Sequence, residues 1–194
     1  MSVVYALATP PAKSAICVFR VTGDGCLGAL SSLFGEADIP PRYFSVRPFY
    51  NSGVLVDTVG VLVFSGDKSY TGEDSFEVHA HGGLGVMSLI TETLDSCGFE
   101  EAPPGEFTKR AFLNNKISLN EAESVLDVID SASADDVYLS SRSLSGGFSK
   151  KVHGLASVIN DLRMRVEGEI DFSDEGESFL DEKIISDLGL LVCD

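Results

Sequence analysis

All seven prolines of this 194-residue chain fall at or before Pro104. A proline inside a helix removes a backbone hydrogen bond and clashes with the preceding turn, so their placement limits where long helices can run. The stretch Pro104–Glu123 divides the chain accordingly. Before it, glycine and proline punctuate short apolar and alternating runs; after it, the sequence reads as almost all helix. The expected class is α+β, with a mixed sheet and helices over 1–117 followed by an all-α segment over 118–194. The dividing stretch also holds Lys109, Arg110 and Lys116, three of the 14 basic residues. A basic cluster at a junction between domains is a natural place for an anionic small ligand. The plainer reading is a surface helix and loop with Lys109 and Arg110 solvated.

Thirty acidic residues against 14 basic ones give a formal charge of −16. Residues 1–117 carry 8 basic and 13 acidic groups, and residues 118–194 carry 6 and 17. Such a chain repels polyanions at long range, so unaided binding to nucleic acid or to an anionic membrane is not expected. Cys17, Cys26, Cys97 and Cys193 lack paired metal-ligand spacing, and three of them sit in apolar runs. They are expected to be reduced thiols of a cytoplasmic protein. No signal peptide is read at the N-terminus, and no apolar run approaches the ~20 residues of a membrane helix. A chain of this length buries roughly 70% of its unfolded surface and needs neither disulfide nor metal to hold it.

Val3–Ala8 and Ala15–Val21 read as buried strands, the second carrying one charge, Arg20. An unpaired buried charge is costly, so Arg20 calls for an anionic partner, either a structural salt bridge or a ligand. Gly23-Asp-Gly-Cys-Leu-Gly28 has the spelling of a dinucleotide fingerprint between a strand and a helix running to about Phe34. The following sequence does not continue a βαβ pattern, which favours a simple turn. No Walker-type phosphate loop is present. Arg42–Tyr50 and Val54–Phe64 read as a hairpin around Asn51-Ser-Gly53. In Ser75–His81, Phe76, Val78 and Ala80 alternate with Glu77, His79 and His81, which share one strand face. That triple could be a metal site without an evident fourth ligand, or a polar sheet face. Glu77 can instead accept two N–H groups from a flat heterocycle such as a purine or pterin.

Leu84–Ser96 reads as an amphipathic helix with Val86, Leu89, Ile90, Thr93 and Leu94 on one face and Gly98 as its stop. Ser118-Leu-Asn-Glu121 spells a capping box opening a helix to about Ser131, whose apolar side is Leu119, Ala122, Val125, Leu126 and Ile129. A further helix spans about Ala134–Leu144. Phe148, Val152, Leu155, Ile159, Leu162 and Val166 then recur at heptad-like spacing, as in a helix packed in its own bundle or paired with another chain. Ile170–Glu182 is acidic with Phe172 and Phe179 interleaved, and a short helix is read up to Val192.

Ala8-Thr-Pro-Pro11, Ser69-Tyr-Thr-Gly-Glu-Asp74, His81-Gly-Gly83, Pro104-Gly-Glu-Phe-Thr-Lys-Arg-Ala-Phe-Leu-Asn114 and Glu121-Ala-Glu123 occur in this order. Together with Ile170-Asp-Phe172, they resemble the N-terminal part of the MnmE/TrmE family of tRNA-modification GTPases, from about residue 3 to about residue 182. The resemblance implies an N-terminal domain similar to folate-dependent aminomethyltransferase domains, which dimerises and binds a tetrahydrofolate derivative (5-formyl- or methylene-tetrahydrofolate). It implies the start of a helical domain after it. Arg20, Glu77 and Lys116 match the family's folate-contacting positions, with Glu77 assigned to the pterin N–H groups and the two cations to the rest of the folate. A FAD-containing MnmG/GidA-type partner is implied, and tRNA is implied as the substrate of the complex, modified at C5 of the wobble uridine.

Some features depart from the family pattern. Ala12-Lys13-Ser14 replaces the Gly-Arg-Gly that usually follows Pro-Pro. Neither the G domain, where GTP and potassium belong, nor the family's Cys-x-Gly-Lys ending is found in this sequence. The chain by itself is therefore expected not to hydrolyse GTP. The competing expectation is a cofactor-free module that keeps only dimer contacts and a helical scaffold.

Overall fold

The computed structural model describes residues 2–171. The acidic run beyond Asp171, the helix expected up to Val192 and Cys193 lie outside the described residues. By contact density the chain divides into two compact units, Met1–Ile117 and Ser118–Asp194.

The first unit is built on one mixed sheet of six strands: β1 (Val4–Leu7), β2 (Ile16–Thr22), β3 (Ser45–Asn51), β4 (Val54–Phe64), β5 (Ser75–His81) and β6 (Glu100–Glu101). They lie in the order β3-β4-β5-β2-β1-β6. Every neighbouring pair is antiparallel except β1–β6, which is parallel. The hairpin between β3 and β4 turns on Ser52 and Gly53, both at positive φ. Two such residues give a turn whose twist matches that of the flanking strands.

Period-two alternation sorts the side chains. Cys17, Phe19 and Val21 of β2, Val59, Val61 and Val63 of β4, and Phe76, Val78 and Ala80 of β5 are buried in one core. Two helices, α1 (Leu30–Phe34) and α2 (Leu84–Ser96), close that face with Leu30, Leu33, Phe34, Met87, Ile90 and Leu94. Phe34 meets Phe49 and Phe76 edge-on at 5.7 and 6.2 Å, geometry that aromatic rings favour. The helix face differs from the expected one. Met87 is buried with Ile90, Thr93 and Leu94, while Leu89 is 40% exposed. Gly98, at φ 78, ends the segment in the left-handed conformation.

The Gly23–Gly28 segment is no nucleotide loop. Gly23, at φ 134, lies so close to Ser2 and Val3 that a Cβ would come within 2.8 Å of their backbone. Gly25 opens a single 3-10 turn, and the α1 that follows has only five residues. The strand before it pairs antiparallel on both sides, so no βαβ unit forms.

A third helix of this unit, α3 (Glu106–Leu113), follows β6. The second unit contains α4 (Leu119–Asp130), α5 (Ala134–Leu144) and α6 (Gly147–Asp171). The capping box at Ser118 forms in full: the Glu121 amide donates to the Ser118 hydroxyl and the Ser118 amide to the Glu121 carboxylate. At α5 the cap is one-sided: the Asp136 amide donates to the Ser133 hydroxyl. Between α4 and α5 the Ser124 hydroxyl donates to Ser143 at 2.7 Å. The expected apolar side of α4 is present, yet Leu119, Leu126 and Ile129 on it are exposed. Along α6, Leu162 is buried while Val152, Leu155, Ile159 and Val166 remain exposed.

Candidate functional site

The sheet face opposite the core carries the polar half of the alternation: Arg20 and Thr22 on β2, and Ser75, Glu77, His79 and His81 on β5. At the Ser75 end, loop 66–74 lies over it. The Thr22 hydroxyl is 2.7 Å from that of Thr71 and 3.3 Å from Glu73 Oε2. Helix α3 fastens this loop from above. Arg110 Nη1 donates to Glu73 Oε2 at 3.0 Å and to the Ser2 carbonyl at 2.9 Å, and its Nε donates to Glu106 Oε1 at 3.0 Å. Asn114 donates to the Thr71 carbonyl at 2.7 Å. Burial alone would lower the Arg110 pKa, but the two glutamates outweigh it and raise it. Arg110 is therefore neither solvated nor available to a ligand: Glu73, 37 residues away, consumes its charge. Lys109 is exposed, as expected, and pairs with Glu106.

The next row of the face, Ala6–Arg20–Glu77–Leu62, brings two of the candidate residues, Arg20 and Glu77, together. Arg20 Nε donates to Glu77 Oε1 at 2.9 Å, and His79 Nε2 donates to Glu77 Oε2 at 3.1 Å. The Arg20 side chain is 51% exposed and that of Glu77 19%. Arg20 thus has its anionic partner, and that partner is the other residue singled out from the sequence. Each Glu77 oxygen keeps a lone pair for a further donor, and the Arg20 head keeps N–H groups facing out. Phe44 meets His79 edge-on at 5.5 Å and lies against Gly60, where any Cβ would overlap its ring.

Beside this row runs a groove of about 470 Å³, lined by Ala6, Leu7, Thr9 and Pro11 on one side and by Glu101–Gly105, Phe107 and Thr108 on the other. Of its lining residues, Ala6 stands next to Arg20 in the β1–β2 register; Arg20 and Glu77 themselves do not line the groove. The Tyr70 hydroxyl lies 3.1 Å from that of Thr108 and ties loop 66–74 to the groove wall.

Lys116 is placed differently. Asn115, at φ 56, turns the chain after α3 so that the Lys116 amide donates to the Ala111 carbonyl. Its side chain then passes Gly72, and its ammonium donates to the Asp67 carbonyl. A Cβ at Gly72 would come within 3.1 Å of Asn114 and 3.2 Å of Lys116, and its φ is +79. Only glycine fits there without strain. Arg20 and Glu77 are thus in contact, while Lys116 sits on loop 66–74, which leads into β5.

The expected Glu77-His79-His81 triple divides in two. His79 belongs to Glu77, whereas His81 Nδ1 donates to Asp57 at 2.8 Å and the His81 amide to the same carboxylate at 2.9 Å. Burial pushes the Asp57 carboxyl up, but the His81 amide, the imidazole and the Thr58 amide outweigh it and hold it below its usual value. Asp57, on β4, went unnoticed in the sequence because nothing local links it to His81. Among the described residues no three His, Cys, Asp or Glu side chains are grouped for a metal ion. Cys17 and Cys26 are buried and Cys97 half-buried. Burial and the nearby acids push the Cys26 thiol up to about 12, which keeps it protonated.

Two family descriptions match this chain. "GTP-binding protein TrmE N-terminus" covers residues 3–116, and "MnmE helical domain" covers residues 119–192. The chain belongs to the MnmE/TrmE family. Among curated relatives, the tRNA modification GTPase MnmE of Coxiella burnetii is 42% identical over 182 residues, 93% of this chain and 40% of the relative. That of Francisella tularensis subsp. novicida is 39% identical over 186 residues, 95% of this chain and 41% of the relative. The protein of the same name from Nitrosococcus oceani is 38% identical over 185 residues. The chain spans about 40% of the length of these MnmE relatives. No helix among the described residues is long and apolar enough to cross a membrane.

Proposed function

We propose that residues 1–117 form a tetrahydrofolate-binding, dimerising domain and that residues 118–194 are part of a helical domain. In this reading the chain supplies the folate-handling part of a tRNA-modification enzyme of the MnmE type. That enzyme acts in the cytoplasm on C5 of the wobble uridine, together with a FAD-containing partner of the MnmG/GidA type. A tetrahydrofolate such as 5-formyl- or methylene-tetrahydrofolate provides a one-carbon unit when bound. The observation that carries the reading is the Arg20–Glu77 pair on the exposed sheet face, one strand from Ala6, which lines a groove of about 470 Å³, a size suited to a small organic ligand.

The residues present fit such a ligand. Glu77 accepts the paired N–H groups of the pterin edge, while the hydrogen bonds from Arg20 and His79 hold its carboxylate in place. Arg20 also offers outward N–H groups to an oxygen of the ligand. Lys116, fixed on loop 66–74, adds a second cation to the folate contacts.

Calorimetric titration of the chain with 5-formyltetrahydrofolate, beside Glu77→Ala, tests this. Saturable binding that the substitution abolishes is the expected result. A folded chain that takes up no folate would leave the cofactor-free scaffold as the better reading. The exposed apolar stripe of α4 (Leu119, Leu126 and Ile129) favours that alternative.

A further inference from the structure

Arg20 and Glu77 stand on neighbouring strands, whose ladder fixes them relative to each other. Lys116 has no such support: it follows the end of α3 and is exposed. Two features set its direction instead. The first is the way the helix ends. With Asn115 in the left-handed region, its amide donates to the Phe112 carbonyl at 3.0 Å and the Lys116 amide to the Ala111 carbonyl at 2.8 Å. This is the paired closure of a Schellman turn, and it holds the Lys116 backbone against the last turn of α3. The second is Asn114. Its side-chain amide donates to the Thr71 carbonyl at 2.7 Å, next to Gly72, whose backbone lies close to Asn114 Cβ and Lys116 Cγ.

Thr71 is itself anchored. It is 1% exposed, and its hydroxyl is 2.7 Å from that of Thr22. Thr22 ends β2, the strand that carries Arg20. A chain of contacts therefore runs from that strand through Thr71 to Asn114 and on to the turn that carries Lys116. The Asp67 carbonyl takes one of the three ammonium N–H groups of Lys116, which leaves two for an anion.

Resting on the folate reading above, we propose that Asn114 is a positioning residue, whose bond to Thr71 holds Lys116 at a set place relative to Arg20 and Glu77. A lysine head is a point charge on a flexible stem. Ordering it when a ligand arrives weakens binding, unless the protein has ordered it beforehand. Asn114 acts only through Lys116, by keeping loop 66–74 and the end of α3 in register.

The test is a double-substitution cycle. Affinity for 5-formyltetrahydrofolate is measured for the wild type, Asn114→Ala, Lys116→Ala and the double variant, with Glu77→Ala as the control for the folate site. Asn114→Ala is expected to weaken binding about fivefold, and the double variant to bind no more weakly than Lys116→Ala. A general loosening of the fold would weaken binding in both backgrounds and could not give that result. Asn114→Gln, which keeps the amide but shifts it by one methylene, runs through the same cycle and replaces Asn114→Ala should that variant fail to fold. Three outcomes would overturn the positioning role while folate binding sensitive to Glu77 stood: Asn114 variants that bind as the wild type does, a Lys116→Ala that does so, or losses that multiply in the double variant. A wild type that binds no folate would overturn both readings.

Discussion

Arg110 is 3% exposed at its side chain, and Glu73 beside it is 7% exposed. Its three hydrogen bonds join α3, loop 66–74 and the first residues of the chain. Removing the cation alone would leave Glu73 as an uncompensated buried charge. Arg110→Met is therefore expected to cost about 3–5 kcal/mol of stability in urea unfolding. Adding Glu73→Leu should recover most of that loss, because replacing both partners removes the unpaired charge. This pair also marks where reading the sequence fell short. Arg20 and Glu77 were legible because strand alternation is local and exposes a lone charge at once. Arg110 reads either as part of a basic cluster for an anionic ligand or as a solvated helix residue, because its partner lies 37 positions away. The Asp57–His81 pair, 24 positions apart, was missed for the same reason.

The elements themselves were more legible than their surroundings. β4, β5, α2 and α5 have the bounds their patterns gave, and the cap of α4 was spelled in four consecutive residues. That cap makes α4 sensitive to acid. The Ser118 amide and then its hydroxyl hold the Glu121 carboxyl below its usual value. A lowered carboxylate pKa stabilises the folded form at pH above the unfolded value of about 4.3. That contribution is lost as pH falls through the depressed folded value. The Ser118 amide resonance is expected to shift with this titration, and Glu121→Gln should remove the dependence. What the pattern of α4 could not show is what covers its apolar side: periodicity reports which residues share a stripe and nothing about a neighbour. The one-position turn of α2, burying Met87 in place of Leu89, is likewise decided by the sheet it packs on.

At the scale of the whole molecule the two units are unequally built. Of the 22 buried apolar side chains among the described residues, only Leu162 belongs to the second unit, which also carries 17 of the 30 acidic residues. The first unit holds a complete core, including the contacts of Arg110. Residues 1–117 expressed alone are therefore expected to melt in a single cooperative transition. Residues 118–194 alone should lack one, and calorimetry of the two pieces checks both outcomes. The hydrogen bond from Arg110 to the Ser2 carbonyl spans 108 positions, and it has a consequence for how the protein is made. At a ribosomal pace of about 5–20 residues per second, Arg110 follows Ser2 by about 5–20 s. β1 is synthesised before every other strand of its unit, yet a fastening of the segment just before it is among the last contacts of that unit to be synthesised. Throughout that interval the segment before β1 waits on the exit of α3, so a pause in translation just before Arg110 would leave it unlatched for longer.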